Sequence, residues 1–206
     1  MNDPLSLSAV RIILWVLAGV GLIAFALLSV WATRRGDPRE VQPDPPFYAD
    51  FSLTDQRGNL RTDEDFAGRW MLVFFGFANC PDICPTTLVE VSLILKELGG
   101  DADKVQPLFI SVDPERDTID ELANYLPSFD ERIVGLTGTV EQIDKTAKSF
   151  RVYYEKIEEP STPAGYTMAH SSQLFLFDRS GGFVTSYSYG TPAEEVALDL
   201  EKRMRQ

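Results

Sequence analysis

The hydrophobic pattern divides the chain into an apolar N-terminal segment and a longer region in which strand and helix patterns alternate. The segment Ile12–Ala32 runs for 21 residues without a charged side chain. As a helix it would be about 31 Å long, close to the hydrocarbon thickness of a bilayer. Trp15 and Trp31 lie near its two ends, where indole rings favour the membrane interface. The pattern predicts a transmembrane helix at residues 12–32 after a short flank at 1–11, with a cleaved signal peptide as the alternative.

Residues 33–46 are predicted to form a tether between this helix and the rest of the chain. They include four prolines, Pro38, Pro43, Pro45 and Pro46. Proline-rich chain is stiff and extended, so the tether would hold the following domain away from the membrane. That domain, residues 47–206, is long enough for one well-buried core.

Strand patterns recur along this domain. The apolar runs Trp70–Phe77 and Leu108–Val112 are typical of central strands that are covered on both faces. Ile133–Leu136 is a further short strand. Turn residues between short apolar runs predict hairpins over residues 51–62 and 174–187.

Helix signals lie between the strands. Apolar residues from Leu88 to Leu98 repeat at helical spacing, and the pair Gly99-Gly100 ends the pattern. Capping boxes begin at Thr118 and Thr139, and Pro192 suits the first position of a last helix. The alternation predicts an α/β fold, namely a thioredoxin-like mixed sheet with flanking helices.

Charge and composition narrow the possible functions. The chain has 31 acidic residues against 19 lysines and arginines, and its formal net charge is −12. This balance argues against nucleic-acid binding, which needs clustered cations. With two cysteines and one histidine, the chain cannot build a four-ligand zinc site from these residue types alone.

Both cysteines lie in Cys80-Pro81-Asp82-Ile83-Cys84-Pro85, between the first buried strand and the following helix. Pro85 suits the first helical position, which places Cys84 at the helix N-terminus, where the helix dipole favours a thiolate. Three interpretations remain open. The pair is inert and buried, or it forms a redox-active disulfide between Cys80 and Cys84, or it binds a metal ion. The usual thioredoxin motif has two intervening residues, whereas this one has three.

His170 is the third candidate ligand. In a thioredoxin-like arrangement its loop packs beside the cysteine loop. Two thiolates and an imidazole form a soft site, which selects Cu(I), zinc or an iron–sulfur cluster over hard cations. Three such ligands leave a zinc tetrahedron incomplete unless a carboxylate or water joins them. The thioether of Met168 is more typical of packing than of ligation.

Three motifs together resemble the Sco/SenC family. They are Gly76-Phe77-Ala78-Asn79 followed by the two-cysteine motif, the segment Ser111-Val112-Asp113-Pro114-Glu115-Arg116-Asp117-Thr118, and His170 placed 86 residues after Cys84. The resemblance implies a membrane-anchored, thioredoxin-like copper protein. Such proteins assist assembly of the dinuclear copper centre in subunit II of cytochrome c oxidase.

The resemblance also implies residue roles. Cys80 and Cys84 would supply two thiolates to copper and His170 a nitrogen, while Asp113 matches a family aspartate near the site and would act from just outside the ligands. The chain departs from the family pattern at Ala169, where an acidic residue is common, and at Ala78, where threonine is frequent. These departures would alter how the ligands are oriented.

The leading hypothesis is therefore a membrane-tethered copper metallochaperone and not an enzyme in the strict sense. It would carry Cu(I), with Cu(II) as a second form, to apo cytochrome c oxidase subunit II or another copper protein. We expect it in the bacterial inner membrane, with its domain in the periplasm. The alternative is a thiol–disulfide oxidoreductase that reduces the cysteines of its partner and does not need His170. A thiol peroxidase would need a cation beside the cysteines, for which Arg116 is the candidate.

Overall fold

The computed structural model describes a folded domain and part of the segment that precedes it. The described residues are 11, 14, 15, 17, 19–26 and 47–205. Ten of the 21 residues of the predicted transmembrane segment 12–32 and all of the tether 33–46 lie outside them, and residues 19–26 are helical. Within the described ranges, no helix is both long enough and apolar enough to cross a membrane. The chain from Pro46 onward forms one compact unit.

A seven-stranded mixed sheet forms the centre of this unit, with the strand order β2-β1-β5-β4-β3-β8-β9. Strands β3, β4 and β5 are parallel, and every other pairing is antiparallel. Strands β6 and β7 form a separate hairpin. The strands are β1 Ser52–Asp55, β2 Leu60–Thr62, β3 Trp70–Gly76, β4 Val105–Ser111, β5 Val134–Thr137, β6 Tyr154–Glu158, β7 Tyr166–His170, β8 Leu174–Phe177 and β9 Phe183–Tyr187.

The two central strands account for most of the core. Every residue of β3 and β4 is buried, as expected of parallel strands that are covered on both faces. Phe74 pairs with Phe109 across them, and Gly76 pairs with Ser111 at their carboxyl ends. Since ligands bind beyond the carboxyl ends of parallel strands, this edge of the sheet is where a site is expected.

Four α-helices flank the sheet: α1 Ile83–Glu97, α2 Ile119–Tyr125, α3 Val140–Ser149 and α4 Ala193–Met204. Helices α1 and α4 pack together, while α2 packs on β5 and α3 on β1. Both hydrogen bonds of the predicted capping box form at Thr139. At Thr118 only one of them forms, in which the threonine side chain accepts from the Glu121 N–H. The predicted mixed α/β sheet with flanking helices is confirmed.

The start of α1 differs from the prediction. The helix begins at Ile83, so Cys84 and Pro85 are its second and third residues. Pro85 remains within the first turn, where its missing N–H has no helical partner to lose. Both cysteines therefore stay at the N-terminal end of the helix, as the sequence indicates.

The hairpin formed by β6 and β7 is absent from the elements that the sequence pattern predicts. Strand β6 is mostly exposed, and its only apolar aliphatic side chain is Ile157. Its pattern therefore lacks the alternation of apolar and polar residues that identifies a half-buried strand. This hairpin matters for the site, because its second strand ends at His170.

Candidate metal centre

Gly76 makes room for a cysteine at the end of the central sheet. A Cβ atom on this residue would lie 2.8 Å from the Phe74 ring, 2.9 Å from the Phe109 ring and 3.0 Å from Cys84 Sγ. These are closer approaches than carbon atoms normally make, and the two rings are fully packed. The glycine in the Gly76-Phe77-Ala78-Asn79 motif thus allows the Cys84 side chain to lie against the strand.

The structure brings Cys80, Cys84 and His170 together. One ligand atom from each lies within 4.8 Å of the others, and among the described residues this is the one group of cysteine, histidine and carboxylate side chains that could hold a metal ion. Cys84 Sγ is 3.5 Å from His170 Nε2, and the Cys84 backbone N–H donates to Cys80 Sγ at 3.4 Å. Three soft ligands from a loop, a helix and a strand therefore converge on one point.

The imidazole of His170 is oriented for ligation through Nε2. Nδ1 lies 3.0 Å from the Ser171 carbonyl oxygen. Because a carbonyl only accepts, a proton on Nδ1 would be donated to it, and Nε2, the ring nitrogen that faces Cys84 Sγ, would then have its lone pair available for a metal. The rings of Phe74 and Phe77 meet the imidazole edge-on, each with its centroid 5.9 Å away. The ring is thus held before any metal arrives.

The two cysteines differ in burial and in acidity. Cys84 is completely buried, whereas Cys80 is partly exposed. The hydrogen bond from the Cys84 thiol, followed by a hydrogen bond to His170 and by the backbone N–H groups of Cys84 and Asp82, lowers the pKa of Cys80 to about 4, although burial opposes the shift. The same sulfur–sulfur hydrogen bond, together with burial, raises the pKa of Cys84 well above its usual value. The pair therefore exists as a Cys80 thiolate beside a Cys84 thiol at neutral pH.

Asp117 holds the cysteine loop in place. Its Oδ2 accepts a hydrogen bond from the Ala78 N–H at 3.0 Å and another from the Ser111 hydroxyl at 2.7 Å. Its Oδ1 is buried without a partner. Burial raises the pKa of Asp117 to about 6, since a neutral carboxyl is less costly to bury than a charged one.

This shift gives a testable pH dependence. The folded pKa of Asp117 lies above the ordinary aspartate value of 3.8, so its contribution to stability is present at low pH and is lost as pH rises through about 6. In copper-free protein, we expect the difference in unfolding free energy between wild type and Asp117→Asn to change by about 1 kcal/mol between pH 5 and 7.5. Urea unfolding at both pH values measures it. A constant difference would show that Asp117 does not titrate in this window.

Asp113 and Arg116 lie beside the site but are engaged with each other. The Asp113 carboxylate contacts the Arg116 guanidinium through one oxygen and accepts the Tyr166 hydroxyl at 3.0 Å through the other. The group that could hold a metal does not include Asp113. The Arg116 side chain also packs on the Phe77 ring. A thiol peroxidase would need this cation at a sulfur, but the guanidinium is instead paired with Asp113 and packed against Tyr166.

Two residues with clear roles at the site were missed by the sequence interpretation. Asp117 lies inside the motif at residues 111–118. A buried aspartate needs hydrogen-bond donors, and the end of a neighbouring strand can supply them, so this residue could have been singled out from the sequence. Tyr166 lies four residues before His170 on β7. Its role depends on a strand that the sequence pattern does not reveal.

Comparisons with known proteins agree with this geometry. The family model described as SCO1/SenC matches residues 39–205. The cattle protein named "SCO2 homolog, mitochondrial" is 41% identical over 160 residues, which cover 75% of this chain and 59% of that protein. The human SCO2 homolog, also mitochondrial, is 34% identical over 198 residues, covering 89% of this chain and 73% of its own length. The chain thus spans between about half and three quarters of these two relatives.

A solved structure extends the likeness to a metal-bound state. The structure of Bradyrhizobium japonicum ScoI with copper bound has a TM-score of 0.70 and 46% sequence identity, and the match covers 76% of this chain and 98% of that one. The donor set of two sulfur atoms and one nitrogen suits the same metal. Copper is thus the metal that this site fits.

The comparisons also correct one expectation. The prediction of a bacterial inner membrane with a periplasmic domain is wrong, because the cattle and human relatives named above are mitochondrial proteins. The family itself is established by the match over most of the chain and by relatives above 30% identity. The chain belongs to the SCO1/SenC family.

Proposed function

We propose that this protein is a copper carrier that delivers Cu(I) to an apo copper protein during cytochrome c oxidase assembly. The single observation that carries the proposal is the convergence of Cys80, Cys84 and His170 within 4.8 Å. Thiolates select Cu(I) over hard cations, and imidazole also suits copper. Cytochrome c oxidase assembly is proposed because the chain resembles the SCO1/SenC family. The dinuclear copper centre of oxidase subunit II is the recipient that we propose.

The geometry suits a carrier better than a permanent store of metal. Cys80 and His170 are both partly exposed, whereas Cys84 is buried. An incoming thiolate from a recipient can therefore reach the metal from the side of Cys80 and His170. Three protein ligands leave a coordination position open for that thiolate, so copper can pass by exchange of one ligand at a time. We also propose that the apolar segment Ile12–Ala32 tethers this carrier to a membrane.

Copper transfer tests the proposal directly. The full chain, loaded with one equivalent of Cu(I), is mixed with the reduced apo copper domain of an oxidase subunit II under oxygen-free conditions. We expect copper to appear on the acceptor at least tenfold faster than from a small chelator of matched Cu(I) affinity, because ligand exchange avoids free metal. Copper is measured on the separated proteins. Transfer no faster than from the chelator would contradict delivery, even if the chain binds copper tightly.

A second function is favoured by the unequal acidity of the cysteines. A Cys80 thiolate with a pKa of about 4, partly exposed beside a protonated Cys84, is the arrangement of an attacking and a resolving thiol. Cys80 would attack a partner disulfide and form a mixed disulfide. Cys84, after releasing its proton to solvent, would then attack Cys80 sulfur and free the partner as a dithiol. This function requires the Cys80 thiolate and uses His170 only through the hydrogen bond that helps to lower the Cys80 pKa, not as a metal ligand.

A further inference from the structure

One face of strand β7 connects His170 to the loop that follows β4. Side chains two residues apart on a strand point to the same side, so Tyr166, Met168 and His170 share a face. Met168 is buried and, with Val112 and Pro114, lines a cavity of about 100 Å³. His170 reaches Cys84 at the far end of this face. The position of the imidazole therefore depends on how the strand is held at its start.

The Tyr166 side chain contacts three charged residues. The Arg116 guanidinium lies 4.0 Å from its ring centroid, and the Lys156 ammonium lies 3.9 Å from it. Both cations therefore lie against the aromatic ring, where its quadrupole attracts positive charge. The Tyr166 hydroxyl donates to Asp113, and Arg116 Nη1 donates to the Tyr166 carbonyl oxygen at 3.4 Å. We call the Tyr166 side chain and the three charged residues that contact it the Tyr166 clamp; these residues are Asp113, Arg116 and Lys156.

The clamp is anchored in the domain on one side and in the hairpin on the other. Asp113 and Arg116 belong to the loop after β4, and both side chains are mostly buried. Lys156 comes from β6 and also pairs with Glu115 of that loop, with Nζ 2.5 Å from a carboxylate oxygen. The hairpin lies outside the main sheet, so it has no ladder of backbone hydrogen bonds to the central strands. Side-chain contacts such as these must therefore fix it.

We propose that Tyr166 is a positioning residue for His170, and that the clamp sets the affinity of the site by holding β7 in the geometry for ligation. This role rests on the proposed copper function. Tyr166 acts through the imidazole, because its strand ends at His170, whereas the two cysteines belong to a different loop and helix. The same loop after β4 holds that cysteine loop through Asp117. The loop after β4 therefore contacts both parts of the site. Asp117 holds the cysteine loop, and Asp113 and Arg116 hold the strand that carries His170.

A double-mutant design separates positioning from general stability. Tyr166→Leu removes the ring and the hydroxyl, and Tyr166→Phe removes only the hydroxyl. We expect Tyr166→Leu to weaken Cu(I) binding about tenfold, within the range for residues that orient a metal ligand, and Tyr166→Phe to weaken it less. In a His170→Ala background the effect of Tyr166→Leu should vanish. Ile157→Ala, on the opposite face of the same hairpin and partly exposed, is the matched control and should leave affinity unchanged.

Hydrogen exchange on the copper-free full chain gives a readout that needs no metal. Tyr166→Leu should speed amide exchange across β6 and β7 while β3 and β4 keep wild-type protection. Unchanged exchange in the hairpin, unchanged Cu(I) affinity, or an equal loss of affinity with and without His170 would each overturn the positioning role. Wild-type chain that binds no Cu(I) would overturn the proposed function and this role with it. If the wild type binds Cu(I) and Tyr166→Leu binds it with the same affinity, only the positioning role of the clamp would be overturned.

Discussion

Replacing Cys84 with serine is expected to weaken Cu(I) binding by more than about 100-fold, because the loss of a ligand exceeds the 10- to 100-fold cost of losing an outer partner. A serine hydroxyl fits the small space beside Gly76 but is a hard donor that stays protonated at neutral pH. The measurement is competition with a chromophoric Cu(I) chelator, using the full chain with its thiols reduced and oxygen excluded.

The histidine variant should behave differently. His170→Ala leaves both sulfur atoms, which are the ligands that Cu(I) prefers, so the expected loss of affinity is smaller than that for Cys84→Ser. Thr167→Ala, on the same strand but on the opposite face, is the matched control and should bind as wild type does. Wild-type affinity in Cys84→Ser would refute the three-ligand site. Wild-type affinity in His170→Ala would reduce it to a two-sulfur site.

Proton release offers an independent check on the same site. Cys84 is protonated in the copper-free protein because its hydrogen bond to Cys80 and its burial raise its pKa. A thiol must lose its proton to become a ligand, so one proton should leave as copper binds. Cys80 contributes none at neutral pH, since it is already a thiolate. This asymmetry explains how the site can be half prepared for copper before the metal arrives.

The part of the fold that could be predicted from sequence is the part with strong hydrophobic periodicity. The runs that became β3 and β4 are apolar throughout, because both faces of these strands are covered. The helix after the cysteines shows apolar residues at helical spacing and ends at Glu97, two residues before Gly99, a glycine with positive φ. The sequence pattern and the structure agree for these strands and this helix, because the burial of apolar side chains determines their conformation.

The candidate site was predictable to the extent that its residues are chemically rare. Two cysteines and one histidine in the whole chain leave few choices, and resemblance to a family supplied the rest. The contacts that orient these residues were not predictable in the same way. Asp117 and Tyr166 act across 39 and 53 residues of sequence, through hydrogen bonds to Ala78 and Asp113. Such contacts depend on strand order and on a charged hairpin, neither of which has a local pattern.

The reactivity of Cys80 is expected to follow a thiolate titration centred near pH 4 rather than the pH of about 8.5 that is typical of a free cysteine. The rate at a single pH is a poor test. The thiolate fraction at pH 6 should be about 300-fold larger than for an ordinary thiol, but nucleophilicity falls as the pKa falls and cancels most of this gain. The informative quantity is therefore the pH dependence of the alkylation rate.

Iodoacetamide alkylation of the reduced, copper-free full chain between pH 3.5 and 9 measures it, with the modified residue identified by mass spectrometry. The rate at Cys80 should rise around pH 4 and stay level above about pH 5.5, while Cys84 stays unmodified because it is buried. Cys84→Ala removes the hydrogen bond that lowers the Cys80 pKa most, so the midpoint should move up by several pH units. Cys84→Ser keeps a hydroxyl donor and should show a midpoint between the other two. A wild-type midpoint near 8.5 would mean that Cys80 is an ordinary thiol, which would remove the basis for thiol–disulfide exchange and require copper to displace protons from both cysteines.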